Sequence, residues 1–193
     1  APVPGRCASI RIGLDVARVQ VSRPDKVGYC SLGVSVDSTR AGIENARTVV
    51  AQVNERMPRT WGDSFVHVDD IDWLVPFDEP LVQSFPTLQD NEVSRRIGHY
   101  VSQLVDDGAT IQVGFGNLPF HILKYLDDKK DLGLHTHVIT DGYLPLFERK
   151  IITNRKKSLL PERIVTSLCM GSQRLYDFVD NNPAFYFRES DFV

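Results

Sequence analysis

The stretch Gln112-Val113-Gly114-Phe115-Gly116-Asn117-Leu118-Pro119 indicates how this chain folds. A β-branched run at residues 110–113 leads into it, and residues 118–128 have the apolar spacing of a helix. The order strand, glycine turn, helix is typical of a βαβ unit. Glycines in such a turn let the backbone approach a ligand, and the N–H groups of a helix N-terminus can hold an anion or oxyanion. A purely steric turn would use glycine as well.

This glycine loop is not a dinucleotide-binding fingerprint. That fingerprint needs a small residue at its sixth position, where this chain has Pro119, and an acidic residue on a following strand. No acidic residue stands at the required place. A nicotinamide cofactor is therefore not expected.

Outward from the loop, short β-rich runs alternate with stretches of helical apolar spacing. This alternation predicts an α/β fold with open, mostly parallel sheets. Strands are predicted at residues 14–21, 32–36, 64–68, 71–75, 110–113, 134–140, 164–169 and 185–187. Helices are predicted at residues 39–54 with Ser38 as N-cap, about 91–105 with Val93, Ile97, Val101 and Leu104 on one side, 118–128, 142–149 and 173–179.

Three prolines, Pro76, Pro80 and Pro86, mark the best candidate for a linker. They predict two partial domains, residues 1–84 and residues 85–193. The first segment offers only one substantial helix to cover its strands, and a parallel sheet needs cover on both faces. We therefore expect both ends of the chain to lie inside a larger fold.

The composition is that of a soluble globular protein, with 42% hydrophobic and 24% charged residues and a net charge of −3. So small a charge predicts no nucleic-acid partner, and the basic cluster Arg155-Lys156-Lys157 is interpreted as a solvated loop. The cysteines Cys7, Cys30 and Cys169 are odd in number and lack CxxC spacing, which favours a reducing, cytoplasmic location. No apolar run has the length of a membrane span, so no membrane partner is predicted.

Several further groups of residues follow one another along the chain. They are Asp25-Lys26-Val27-Gly28-Tyr29-Cys30, Trp61-Gly62-Asp63-Ser64, Leu132-Gly133-Leu134-His135-Thr136, Thr140-Asp141-Gly142, Gly171-Ser172 and Asn181-Asn182-Pro183. With the glycine loop they resemble the acetyl-CoA hydrolase/transferase family, which includes the 4-hydroxybutyrate and acetate CoA-transferases. The resemblance runs in order from about Leu14 to the end of the chain.

The resemblance implies an open, two-domain α/β enzyme of the CoA-transferase (NagB/RpiA-like) type. This chain would be a fragment of a longer member, holding the back half of the first domain and the front half of the second. Gly114, Phe115, Gly116, Asn117 and Leu118 would lie beside the thioester of an acyl-CoA. Coenzyme A would be a substrate and no other cofactor is implied. The expected partners are acyl-CoA and a small carboxylate, and a homo-oligomer is allowed.

Members of the family transfer coenzyme A through a glutamate that attacks the thioester, which is covalent catalysis by a carboxylate. The resemblance places that glutamate 23 residues after the first loop glycine, and this chain has His137 there. The chain also departs from the family at Val27, where a histidine is usual, and at Arg23, where a proline is usual. These departures put the contribution of the first segment to the site in question.

Three interpretations of His137 follow. It could be a general base that activates water against the thioester, since imidazole suits that task near neutral pH, or it could form an acyl-imidazole. The site could instead be degenerate and bind coenzyme A without turnover. Finally, His135 and His137, two residues apart on a strand, could hold a metal ion with Asp141. We favour a retained role in thioester chemistry. His67 is interpreted as structural.

Overall fold

A computed structural model of the chain describes residues 13–84 and 92–193. The strands of these residues are β1 Leu14–Val21, β2 Tyr29–Ser31, β3 Ala46–Val53, β4 Phe65–His67, β5 Trp73–Pro76, β6 Thr110–Ile111, β7 Gly133–Leu134, β8 Val138–Ile139, β9 Ile164–Thr166, β10 Leu168–Cys169 and β11 Phe185–Phe187. The α-helices are α1 Thr39–Asn45, α2 Glu92–Gln103, α3 Asn117–Lys124, α4 Leu144–Glu148 and α5 Gln173–Val179. Two 3₁₀ turns, Val68–Asp70 and Asp141–Tyr143, complete the elements. The α/β prediction is confirmed.

The first sheet is parallel and has the order β1-β3-β5. Its central strand, β3, occupies residues that the sequence predicted as the end of a long helix. The prediction of a helix over residues 39–54 is therefore wrong beyond Asn45. Val49 and Ala51, two residues apart, both point into the core, as in a strand. Because β3 is paired with β1 and β5, the backbone hydrogen bonds that a helix would have formed are formed within the sheet.

The predicted strand at residues 32–36 is also wrong, because the chain turns there. β2 ends at Ser31, and Gly33 follows with a positive φ of 64°. A Cβ on Gly33 would come within 2.1 Å of the sulfur of Met57, so glycine is required at this position for space as well. Beyond the turn, Ser35 forms an antiparallel bridge with Leu168 in β10.

The remaining strands form short parallel pairs, β6 with β7, β8 with β10 and β9 with β11. A parallel bridge from His135 to Val165 joins the β6-β7 pair to the β9-β11 pair. Each predicted long strand here, at residues 134–140 and 164–169, is two short strands separated by a break. That break lets one segment pair with different neighbours before and after it.

Two bridges connect the first 84 residues to this second set of strands. One is the bridge of Ser35 to Leu168, and the other is a parallel bridge of Gly62 to Phe187. At Gly62 a Cβ would lie 2.2 Å from the Phe187 carbonyl oxygen, so the two backbones meet more closely than any side chain allows. Sheet hydrogen bonding thus spans both parts of the chain.

Residues 76–84, within the predicted linker, are held by specific contacts. The side-chain amide of Asn54 donates to the Glu79 carbonyl at 2.8 Å, and the Tyr176 hydroxyl donates to the Val82 carbonyl at 2.6 Å. Leu81, between them, is buried. Residues 85 and 86 of the predicted linker lie outside the described residues, and the division into domains at residue 84 stays a prediction.

Helix α2 presents its apolar side to the outside. Its buried residues are Ser94, Gly98 and Ser102, whereas the side chain of Val93 is 66% exposed. The small residues allow a close helix contact, since a Cβ on Gly98 would come within 3.1 Å of the α3 backbone at His121. The predicted first residue of this helix, Asn91, lies outside the described residues. Within the described ranges, no helix is both long and apolar enough to cross a membrane.

Candidate functional site

The glycine loop and His137 lie at the ends of neighbouring parallel strands. In the β6-β7 pair, Thr110 stands opposite Gly133 and Ile111 opposite Leu134, a constant offset of 23 residues. The N–H of His135 continues the ladder by donating to the Ile111 carbonyl at 3.1 Å. The Thr136 hydroxyl keeps the same offset by donating to the Val113 carbonyl, so His137 and Gly114 are the residues that directly follow the two partners of this bond. The spacing noted in the sequence is therefore the register of two strands, and both residues come where parallel strands present their carboxyl ends.

Beyond the ladder, the Val113 carbonyl accepts hydrogen bonds from two buried hydroxyls. Thr136 Oγ1 donates to it at 3.0 Å, and Tyr143 Oη donates to it at 3.1 Å. Both donors are at most 1% exposed, and burial raises the pKa of Tyr143 to about 12, so its phenol keeps its proton. Val113, the residue before Gly114, is thereby bonded directly to Thr136, the residue before His137.

The loop itself is accessible. Gly114 and Phe115 are exposed, Gly116 and Leu118 are half-buried, and α3 begins at Asn117. Gly116 has a φ of 131°, which favours glycine, whereas a Cβ on Gly114 would meet nothing within 4 Å. The backbone conformation thus favours glycine at position 116, whereas the space beside Gly114 is open.

The backbone of His137 is held by the strand break between β9 and β10. Its carbonyl accepts the N–H of Ser167 at 3.2 Å and the N–H of Leu168 at 3.0 Å. The His137 residue is half-buried, and its main chain is anchored by these two bonds. In residues 13–84 and 92–193, no three His, Cys, Asp or Glu residues cluster in a way that could hold a metal ion. The structure thus does not assemble His135, His137 and Asp141 into such a group.

Asp141 supports the next loop along the sheet. Its carboxylate accepts the N–H of Ser172 at 2.8 Å and the Ser172 hydroxyl. A Cβ on Gly171 would lie 2.3 Å from the same carboxylate, and one on Gly142 would lie 2.9 Å from Leu123 of α3. The residue groups Thr140-Asp141-Gly142 and Gly171-Ser172 therefore pack against each other beside the glycine loop.

Lys157 corrects the interpretation of the basic cluster as a solvated loop. Arg155 and Lys156 are exposed, but the Lys157 residue is only 5% exposed. Its ammonium donates to the carbonyl of Leu134 at 2.9 Å and to that of Arg163 at 2.7 Å. Because burial disfavours the charged form, the pKa of Lys157 is lowered to about 8.

This lysine makes the stability of the protein depend on pH. Its pKa is about 8 in the folded chain against 10.5 for the free group, so the unfolded chain binds more protons between those values. The free energy of unfolding should therefore rise from pH 8 to pH 10, by on the order of 2 kcal/mol. Denaturant unfolding at a series of pH values measures this. Lys157→Met should flatten the rise, whereas Lys156→Met should keep it, and equal profiles for the two variants would contradict the assignment.

His135 lies beside Lys157, on the strand position two residues before His137. Burial lowers its pKa first, the Lys157 charge lowers it further, and a hydrogen bond to the Phe192 backbone opposes both. The imidazole also stacks on the Phe192 ring at 6.0 Å between centroids. The neutral form of His135 is thereby favoured near pH 7.

Two other polar residues singled out in the sequence have structural roles. The His67 imidazole bonds to the Val27 carbonyl at 3.0 Å and accepts the N–H of Asp69 at 3.2 Å, which confirms the structural interpretation. Asn182 donates from its amide to the Phe178 carbonyl at 3.0 Å and so ends α5. Cys30 and Cys169 are both buried, as their apolar surroundings predict, and Cys7 lies outside the described residues.

With this geometry described, similarity to known proteins identifies the chain. The family model for the N-terminal domain of acetyl-CoA hydrolase/transferase matches residues 7–86. A 4-hydroxybutyrate coenzyme A transferase of Clostridium kluyveri is 46% identical over 191 residues, which cover 99% of this chain and 44% of that protein. The chain belongs to the acetyl-CoA hydrolase/transferase family. Within that family it is similar to the 4-hydroxybutyrate CoA-transferases.

Two solved structures have the same fold as this chain. The crystal structure of a 4-hydroxybutyrate CoA-transferase from Porphyromonas gingivalis superposes with a TM-score of 0.92 at 42% identity, covering 98% of this chain and 48% of that one. The structure of RipA from Yersinia pestis gives a TM-score of 0.90 at 34% identity, covering 97% and 42%. The chain therefore spans under half the length of the relatives it matches.

Sequence reasoning missed two residues of this family member's site region, Tyr143 and Lys157. Tyr143 lies within a residue group that carries the family resemblance, but only the fold shows that its hydroxyl reaches Val113. Lys157 stands among other basic residues, and no sequence signal separates a buried lysine from exposed neighbours.

Proposed function

We propose that this protein handles acyl-CoA thioesters, either hydrolysing them or moving coenzyme A to a small carboxylate. The loop Gly114–Leu118 would lie at the thioester, and His137 would stand at the position of the nucleophile. The observation that carries the proposal is the 23-residue register of β6 and β7, continued by the bond of Thr136 to Val113, the residues before His137 and Gly114. Family membership supports the choice of an acyl-CoA as substrate.

The loop would act on the carbonyl oxygen of the thioester. The first N–H groups of a helix are not used by bonds within it, and α3 begins within the loop at Asn117. An oxyanion that forms during attack on the carbonyl would be stabilised there. Loss of one well-placed oxyanion donor typically costs about 3 kcal/mol of transition-state stabilisation. The loop would therefore matter whichever group attacks.

His137 would act as a general base in hydrolysis. Its imidazole would take a proton from water, the resulting hydroxide would add to the thioester carbonyl, and the tetrahedral intermediate would expel the thiolate of coenzyme A. The imidazolium would then return the proton to the thiolate, which gives the carboxylic acid and free thiol. Imidazole cannot form the anhydride that a glutamate forms, so hydrolysis is favoured over transfer.

A second candidate function is binding of coenzyme A without turnover. It is favoured by the histidine at position 137, because a site that has lost its carboxylate nucleophile can retain the loop that holds the thioester. The two candidates differ in whether thiol is released.

Incubation with acetyl-CoA, with and without acetate, distinguishes them. We expect free thiol to be released at a rate that acetate leaves unchanged, and labelled acetate to enter acetyl-CoA only slowly. Tight binding of coenzyme A by calorimetry without thiol release would favour the binding function. Neither binding nor turnover with any short-chain acyl-CoA would contradict both.

A further inference from the structure

A small cleft opens on the sheet beside the site just described. It has a volume of about 280 Å³ and lies over the β6-β7 pair. It is lined by Thr110, Ile111, Gln112, His135, Lys157, Ser158 and Leu159. None of the loop residues that the sequence predicted lines it, so the cleft is distinct from the loop at Gly114–Leu118.

Lys157 provides the charge of this cleft. Its side chain runs across Gly133, where a Cβ would come within 2.5 Å of Lys157 Cγ. An ammonium has three N–H donors, and the carbonyls of Leu134 and Arg163 accept two of them. In the described part of the chain, no carboxylate lies within ion-pair distance of Lys157 Nζ. One donor of a buried cation thus remains for a ligand.

A buried charge without a counter-ion is costly, and proteins usually pair it. The cost here is visible in the lowered pKa of Lys157, whose cause is burial. The titratable group that faces Lys157 from the neighbouring strand is His135, whose neutral form is favoured. Near pH 7 the cleft therefore carries about one positive charge, which matches a single monovalent anion.

We propose that this cleft binds the carboxylate group of the acceptor, with Lys157 as its ion-pair partner and Gln112 and Ser158 as hydrogen-bonding groups. The inference rests on the transfer reaction named in the proposed function, since it gives the place of the carboxylate acceptor of that reaction. His135 and His137 are two residues apart, so their Cα atoms are at most about 7 Å from each other. A carboxylate in the cleft would thus lie next to the position where the thioester is attacked.

The size of the cleft supports a small ligand. Pockets for drug-sized molecules begin at roughly 300 Å³, so this cleft suits a short carboxylate and not the whole of coenzyme A. The apolar side chains Ile111 and Leu159 border it and would contact a short alkyl chain.

Titration of Lys157 by NMR, with lysines labelled at Cε, tests the binding of acetate directly on the intact protein. A bound carboxylate favours the ammonium, so acetate should raise the pKa of Lys157 by about one unit or more. The affinity for acetate should fall about tenfold for each pH unit above the pKa of Lys157 in the free protein. Lys156→Met is the matched control, because it removes an exposed charge next to the cleft and should leave the effect of acetate unchanged.

The inference fails if acetate leaves the Lys157 titration unchanged at every concentration up to its solubility. It also fails if inorganic phosphate shifts the titration and acetate does not. Acetate-dependent transfer without any effect on Lys157 would overturn this inference and leave the proposed function standing. A clear effect of acetate on the Lys157 titration without any turnover of acyl-CoA would overturn the proposed function and leave the binding of a carboxylate in the cleft standing.

Discussion

His137→Glu is expected to increase acetate-dependent exchange of coenzyme A by 100-fold or more. The glutamate would directly follow Thr136, whose hydroxyl bonds to the residue before Gly114, and a carboxylate there could attack the thioester and form an anhydride with the acyl group. The measurement is the rate at which labelled acetate enters acetyl-CoA. His137→Ala should instead reduce thiol release by about 100-fold or more, since it removes the general base.

His99 offers a matched control for both variants. It is an exposed histidine on α2, and neither His99→Glu nor His99→Ala should change either rate. Thiol release that is unaltered in His137→Ala would contradict the general-base role. Exchange in the unmodified protein as fast as in His137→Glu would contradict the idea that the histidine limits transfer.

Gly62→Ala is expected to lower the free energy of unfolding by about 3 kcal/mol. Gly62 has a φ of 105°, which disfavours residues with a Cβ, and the added carbon would lie 2.2 Å from the Phe187 carbonyl oxygen. The backbones of Trp61 and Phe187 would have to separate, although the Phe187 N–H donates to the Trp61 carbonyl at 2.7 Å. Urea unfolding followed by circular dichroism measures the loss.

Gly42→Ala makes the same chemical change where the structure has room. Gly42 lies in α1, and a Cβ there would meet nothing within 4 Å. This variant should be unchanged or up to about 1 kcal/mol more stable, because alanine favours helix over glycine. Equal destabilisation by the two substitutions would mean that the contact of Gly62 with β11 contributes little.

The sequence predicted the α/β class and the strand-loop-helix order at the glycine loop, because β-branched runs, glycines and helical spacing agree there. The family resemblance places the nucleophile at position 137, 23 residues after Gly114, and that placement stays a prediction. The distance of 23 residues equals the offset between the paired residues of the parallel strands β6 and β7, and the sequence alone does not reveal that pairing. The chemical role of His137 stays a prediction.

One error in the predicted fold and one feature of a correctly predicted helix have a common cause. Residues 46–53 have apolar side chains at spacings that fit either a helix or a strand, and the pairing of β3 on both sides decided for the strand. In α2 the helix itself was predicted, but its buried side consists of Ser94, Gly98 and Ser102. In both cases the neighbouring element, not the local pattern, determined what was buried.

The site region shows the same limit for polar residues. Lys157 and Lys156 are adjacent in sequence and alike in chemistry, yet one is buried against two carbonyls and the other is exposed. Tyr143 was missed for a similar reason, since its hydrogen bond reaches across 30 residues to Val113. Burial of a polar group depends on contacts between distant segments, which composition and spacing do not encode.

The bridge from Gly62 to Phe187 has a consequence for biosynthesis. The two residues are 125 positions apart in the chain. At a synthesis rate of roughly 5–20 residues per second, the backbone around Gly62 waits on the order of 10 s before its partner strand is made. During that interval the Trp61 carbonyl and the Asp63 N–H, which later bond to Phe187, lack those partners while the chain is still on the ribosome. A change in the rate of chain synthesis should therefore affect the yield of this protein more than that of a helical protein of equal length.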